Sequence, residues 1–128
     1  MVLMSVGAPE KVIPRPIGSK RAYTETAVSA PASPKWATLV ELTPTKDKTF
    51  DLAYFAAGCT DDIWIRLKWN GTVITPWIPV MGKTYPQFWV PSEYKKVTGD
   101  GSKKFTLEVQ QMSGSGGTAY GEIVGEEV

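Results

Sequence analysis

Trp64, Trp69, Trp77, Tyr85, Phe88, Trp89 and Tyr94 crowd into one stretch of the chain. Large aromatic side chains left at a surface either anchor a protein interface or stack on sugar rings. Their parity decides which of them are candidates. In residues 61–75, DDIWIRLKWNGTVIT, apolar and polar residues alternate: Ile63, Ile65, Leu67 and Trp69 fall on one side, and Asp62, Trp64, Arg66 and Lys68 on the other. A period of two marks a strand with one buried face. Trp69 then belongs to the core, whereas Trp64 stands among charges, covered by a second sheet or free to meet a partner. Trp77 and Trp89 lie in proline-interrupted segments that belong at the periphery. Trp64, Trp77 and Trp89 are the expected partner-binding residues of the folded part.

Other chemistry is scarce. The chain has no histidine, which removes Ser-His-Asp and Cys-His relays, histidine-ligated zinc or copper, and histidine pH switching. Its one cysteine, Cys59, excludes an internal disulfide and has no activating neighbour in sequence, so it reads as a small apolar filler. Asp61 and Asp62 are adjacent, and on a strand they face opposite ways. Asp51, Glu93, Asp100 and Glu108 stand alone, and spacing singles out no glycosidase dyad among them. Asp100 and Asp61-Asp62 have the oxygen chemistry of a calcium loop, but solvated turns are the better account of them. Gly99-Asp100-Gly101-Ser102 lacks the Lys-Ser pair and following helix of a phosphate loop. The expectation is a protein that is not an enzyme and holds no metal or cofactor.

The elements that must position the aromatics are strands. Asn70-Gly71 supplies the two positive-φ residues of a type I′ turn, which pairs Trp69 with Thr72 and Leu67 with Ile74. Ile74 then joins the face of Ile63, Ile65 and Leu67, so turn and pattern agree on one register. The same residues form a sequon, Asn70-Gly71-Thr72, that the hairpin explains without glycosylation. Residues 36–43 read as a first strand, and residues 49–54 as a second with Phe50, Leu52 and Tyr54 on one face. In residues 104–112, Phe105, Leu107 and Val109 point inward and Thr106, Glu108 and Gln110 outward; residues 118–124 form the last strand. Residues 83–90 suggest an edge strand broken at Pro86, and residues 94–98 a short one. With 12 glycines, 10 prolines and no convincing helix, the chain predicts an all-β antiparallel sandwich or small barrel. About seven or eight strands at intervals of roughly ten residues favour a jelly-roll-like order over an immunoglobulin-type one.

Residues 1–34 differ from residues 35–128. Five prolines, Pro9, Pro14, Pro16, Pro31 and Pro34, remove backbone donors and exclude a helix or a central strand. The segment reads either as a disordered leader or as an extended arm. Its apolar residues, Val12, Ile13 and Ile17 above all, are too many for a spacer and are expected to contact a partner. A net charge of +1 gives no global attraction to nucleic acid or membrane. No run long and apolar enough for a secretory signal or a membrane span is visible.

A proline-rich arm, a compact β domain, a strand ending in Trp69-Asn70-Gly71, a Gly99-Asp100-Gly101-Ser102 turn and a last strand reading Ala119-Tyr-Gly-Glu-Ile-Val-Gly125 together resemble small jelly-roll virion proteins of tailed phages, the capsid decoration (cement) class. That resemblance implies a non-catalytic homotrimer on the virion surface, binding coat protein subunits and reaching neighbours with its arms. The alternative is a carbohydrate-binding or receptor-binding module of a tail tip, with exposed tryptophan and tyrosine rings on a glycan.

Overall fold

The computed structural model describes residues 18–90 and 94–128. The described residues are all-β, with eleven strands: β1 (Ser19–Tyr23), β2 (Val28–Ala30), β3 (Ala37–Leu42), β4 (Thr49–Cys59), β5 (Ile63–Trp69), β6 (Thr72–Val73), β7 (Ile78–Val80), β8 (Gln87–Phe88), β9 (Lys96–Thr98), β10 (Phe105–Gln111) and β11 (Gly117–Glu127). They form two antiparallel sheets packed face to face. The six-stranded sheet has the order β1-β11-β4-β8, with β2 also on β11 and β9 also on β4; the five-stranded sheet has the order β3-β10-β5-β6, with β7 also on β5. No helix among the described residues is long and apolar enough to cross a membrane.

The strand count exceeds the seven or eight expected because long strands are flanked by broken ones. β1 and β2 lie end to end along β11, β6 and β7 along β5, and β8 and β9 along β4. Prolines cause part of the breakage: Pro76 lies between β6 and β7, Pro79 sits within the three-residue β7, and Pro86 precedes β8. Merging each broken pair leaves four strand positions in each sheet, and the chain passes between sheets in a jelly-roll-like order.

The hairpin forms as its residues dictate. Asn70 and Gly71 have φ of 49° and 85°, Trp69 pairs with Thr72, and Ile74 N donates to Leu67 O at 2.9 Å. Ile63, Ile65 and Leu67 are fully buried against Phe105, Leu107 and Val109 of β10, and Trp69 packs on Phe105 with ring centroids 4.6 Å apart. From the other sheet, Phe50, Leu52, Phe55, Ala57, Cys59, Ala119 and Ile123 close the core. Cys59 is a buried free thiol within it.

Two expectations need correction. Tyr54 does not share the inward face of Phe50 and Leu52. β4 carries a bulge, with Leu52 opposite Gly125 but Tyr54 opposite Val124, so parity flips at Ala53 and Phe55, Ala57 and Cys59 continue the core face. The boundary between residues 34 and 35 also fails for part of the expected arm. Residues 19–23 and 28–30 are strands on β11, Ala30 is fully buried, and Thr24 Oγ1 bridges the sheets by donating to Leu39 O at 2.9 Å and accepting from Gly121 N at 2.9 Å. These are sheet-edge strands, compatible with proline at their flanks.

Candidate binding surface

The register of β10 with its two neighbours builds the first aromatic group. Gln110 lies opposite Trp64 on β5, and one residue beyond the Val109–Ala37 pair it meets Trp36 at the entrance to β3. Trp77 precedes β7, whose Ile78 pairs with Ile65, so its ring falls beside Trp64. Three indoles thus meet on the outer face of the five-stranded sheet. Trp36 and Trp77 have centroids 5.2 Å apart at 72°, and Trp64 and Trp77 6.1 Å apart at 55°. Edge-to-face packing of this kind is favourable for the ring quadrupole. Gln110 is buried beneath them, its amide donating to Lys35 O at 3.0 Å.

Charge braces the group. The Arg66 guanidinium lies 4.0 Å from the Trp36 ring centroid while its Nε donates to Glu108 Oε1 at 2.7 Å. Lys68 Nζ reaches the other Glu108 oxygen at 3.2 Å, and further along the same face Lys104 pairs with Glu41 at 3.0 Å. Arginine does here what lysine cannot: it stacks on a ring and holds a carboxylate with the same planar group. Trp77 remains 51% exposed at the top of the group.

The outer face of the six-stranded sheet carries tyrosines. Tyr54 Oη donates to Glu122 Oε2 at 2.8 Å, and Arg21 lies 3.9 Å from the same oxygen. Tyr85 lies over Gly58, where an added Cβ would meet Tyr85 Cδ1 at 2.8 Å and collide with Thr84 O. Gly58 is opposite Tyr120, so Tyr85 and Tyr120 flank a shallow cleft of about 240 Å³. Burial, reinforced by the Glu122 carboxylate, pushes the Tyr85 phenol up to about 12. Burial and the bond to Glu122 raise Tyr54 as well.

The carboxylates do not converge. Asp51 pairs with Lys95 at 2.8 Å, Asp62 accepts from Gly82 N at 2.7 Å, and Asp61 lies 3.5 Å from the Gln111 amide. Asp100 Oδ1 caps its own turn, accepting from Lys103 N and Ser102 N, bonds that hold its carboxyl below the usual value. Glu127 is pulled two ways: burial raises it, but bonds from Thr45 and the Lys20 ammonium prevail and lower it. Among the described residues no group of three His, Cys, Asp or Glu is placed to hold a metal ion.

Of the residues expected to bind a partner, Trp64 and Trp77 come together. Trp64 is not covered by the other sheet. Trp89 is 73% exposed but sits beyond β8 at the edge of the six-stranded sheet, away from the indole group. Val12, Ile13 and Ile17 lie outside the described residues. Trp36 was not among the expected site residues. Its parity is hidden because β3 shifts register opposite Leu107/Glu108, and only the pairing with β10 places it. No family model, no curated protein and no solved structure matches the chain.

Proposed function

We propose that this chain is a non-catalytic structural protein of the virion-decoration kind its sequence resembles. The sandwich docks on coat protein subunits through Trp36, Trp64 and Trp77, and residues 1–17, with Val12, Ile13 and Ile17, reach a neighbouring subunit. Several weak contacts tethered in one molecule, multiplied in a homotrimer, bind far more tightly than any one alone. The observation that carries this reading is the exposed Trp77 ring seated on two half-buried indoles, one of which, Trp36, is braced by the Arg66–Glu108 pair. A central aromatic anchor with a polar rim is the make-up of an interface hot spot. The jelly-roll-like order supports it only in part, since that architecture serves capsid and lectin domains alike.

The ring geometry favours protein over glycan. A run of sugar rings stacks on faces that lie in one plane, whereas these indoles are inclined at 72° and 55°. The test is binding of the full chain to virions of its source from which the protein has been stripped. Stoichiometric rebinding is expected, reduced at least tenfold in Trp77→Ala. Failure to rebind, together with a specific glycan-array hit abolished by Trp77→Ala, would replace this reading with the carbohydrate one.

A further inference from the structure

The six-stranded sheet ends in an open edge. Thr24 N donates to Gly121 O at 2.9 Å and Glu127 N donates to Gly18 O at 2.6 Å, so Gly18, Lys20, Ala22 and Thr24 turn their backbone groups toward β11. Ser19, Arg21 and Tyr23 turn theirs the other way. Among the described residues nothing hydrogen-bonds to those outward N–H and C=O groups. Three residues suffice for pairing in this fold: β2 and β9 are each held by three. Beside the edge, a cleft of about 470 Å³ runs between β1 and β3, with Leu39 and Val40 in its lining. A row of unpaired backbone groups next to an open cleft is the acceptor geometry for an added strand.

We propose that this edge takes residues 1–8 of a second copy of the chain as an added strand. The assignment rests on the proposed function for the idea that residues 1–17 act as an arm, and it supplies the acceptor. Residues 1–8, MVLMSVGA, contain no proline, so each internal peptide keeps its donor for a ladder. Val2, Met4 and Val6 alternate with Leu3, Ser5 and Gly7, so as an added strand the segment would set one apolar row toward the cleft between β1 and β3. Residues 9–17 carry Pro9, Pro14 and Pro16. Such a proline-stiffened spacer spans about 28 Å at roughly 3.1 Å per residue. The five residues of β1 cover only about 17 Å at about 3.4 Å each, so the spacer is long enough to reach past its own edge to another molecule's. Lys11 and Arg15 in the spacer complement Glu25 at the cleft.

Sedimentation of the full chain across a concentration series, with amide hydrogen exchange on the same samples, tests this. The expected result is self-association in which the Ser19, Arg21 and Tyr23 amides exchange at least tenfold more slowly than in the dilute monomer. A synthetic peptide of residues 1–8, in excess, dissociates the assembly. Arg21→Pro removes an outward donor and leaves the bonds to β11 intact, so it weakens association at least tenfold; Trp77→Ala leaves association unchanged while impairing particle binding. If Arg21→Pro fails to fold, exchange and peptide competition on the unaltered chain decide. A full chain that stays monomeric, or an assembly whose three amides exchange as freely as loop amides, overturns the proposal. Protection of those amides in a monomer overturns it too, because the edge would then be filled from within one molecule. None of these outcomes bears on docking by the tryptophans.

Discussion

The two outer faces are built from the same parts and arrive at different surfaces. Each has a set of aromatic rings and one arginine–carboxylate pair: Trp36, Trp64 and Trp77 with Arg66 and Glu108 on the five-stranded sheet, Tyr23, Tyr54, Tyr85 and Tyr120 with Arg21 and Glu122 on the six-stranded one. The separations tell them apart. Arg66 binds Glu108 at 2.7 Å and stacks on Trp36, whereas Arg21 stands 3.9 Å from Glu122, whose oxygen is taken at 2.8 Å by Tyr54. Indoles have no acceptor to offer a cation, so on the first face the charges settle each other and the rings are left for an apolar partner. The Tyr54 phenol takes the Glu122 carboxylate, so on the second face ring and charge satisfy each other. On the proposed reading the first is the docking surface and the second a cover.

The sharpest way to separate them is steric. Tyr85 covers the six-stranded sheet only because Gly58 has no side chain; Thr84 O and Tyr85 Cδ1 already occupy the space of a Cβ. Gly58→Val should destabilise the fold by about 3 kcal/mol in denaturant titration, because backbone as well as ring must move. Equal stability would mean that the tyrosine cover is loose rather than packed.

Removing the shared carboxylate probes the other face. Glu108→Ala strands Arg66 and Lys68, both largely covered, and should cost about 2 kcal/mol by the same measurement. It should also free the Arg66 side chain from Trp36 and change the tryptophan fluorescence. Glu122→Ala should cost less, about 1 kcal/mol, since its arginine is the more distant and more exposed partner. A reversed order would break the contrast drawn between the faces.

How much of this was readable in advance follows from how local each signal is. Asn70-Gly71 and the alternation around it are set by neighbouring residues, so the hairpin, its register and the outward position of Trp64 were legible. The clean alternation of β10 was legible for the same reason. Tyr54 was misplaced because a bulge at Ala53 is chosen by the pairing of β4 with β11, far away in sequence. Trp36 escaped notice because its place depends on a register shift between β3 and β10. β1 and β2 were hidden by prolines at their flanks; such residues bar a central strand but not an edge one, and only β11 makes the edge available. Fold class rests on patterns within elements, and the candidate site rests on pairings between them.

The smallest effect is expected from pH. Tyr85 holds its proton up to about 12, against an ordinary value of 10.0, chiefly through burial and secondarily through Glu122. The folded protein therefore binds that proton more tightly than the unfolded chain does. Its contribution is fully present below 10.0 and is lost as pH rises toward about 12, so stability declines across that window. Tyr54 shifts in the same direction, so the measurement is the difference between the wild type and Tyr85→Phe in unfolding midpoint at successive alkaline pH values. The wild type should lose stability more steeply. The gap should stay small, since Tyr85 is 45% exposed and solvent screens its neighbours. Parallel pH profiles would show that this ring lies open to water, and the six-stranded face would then have to be counted as a second binding surface rather than a cover.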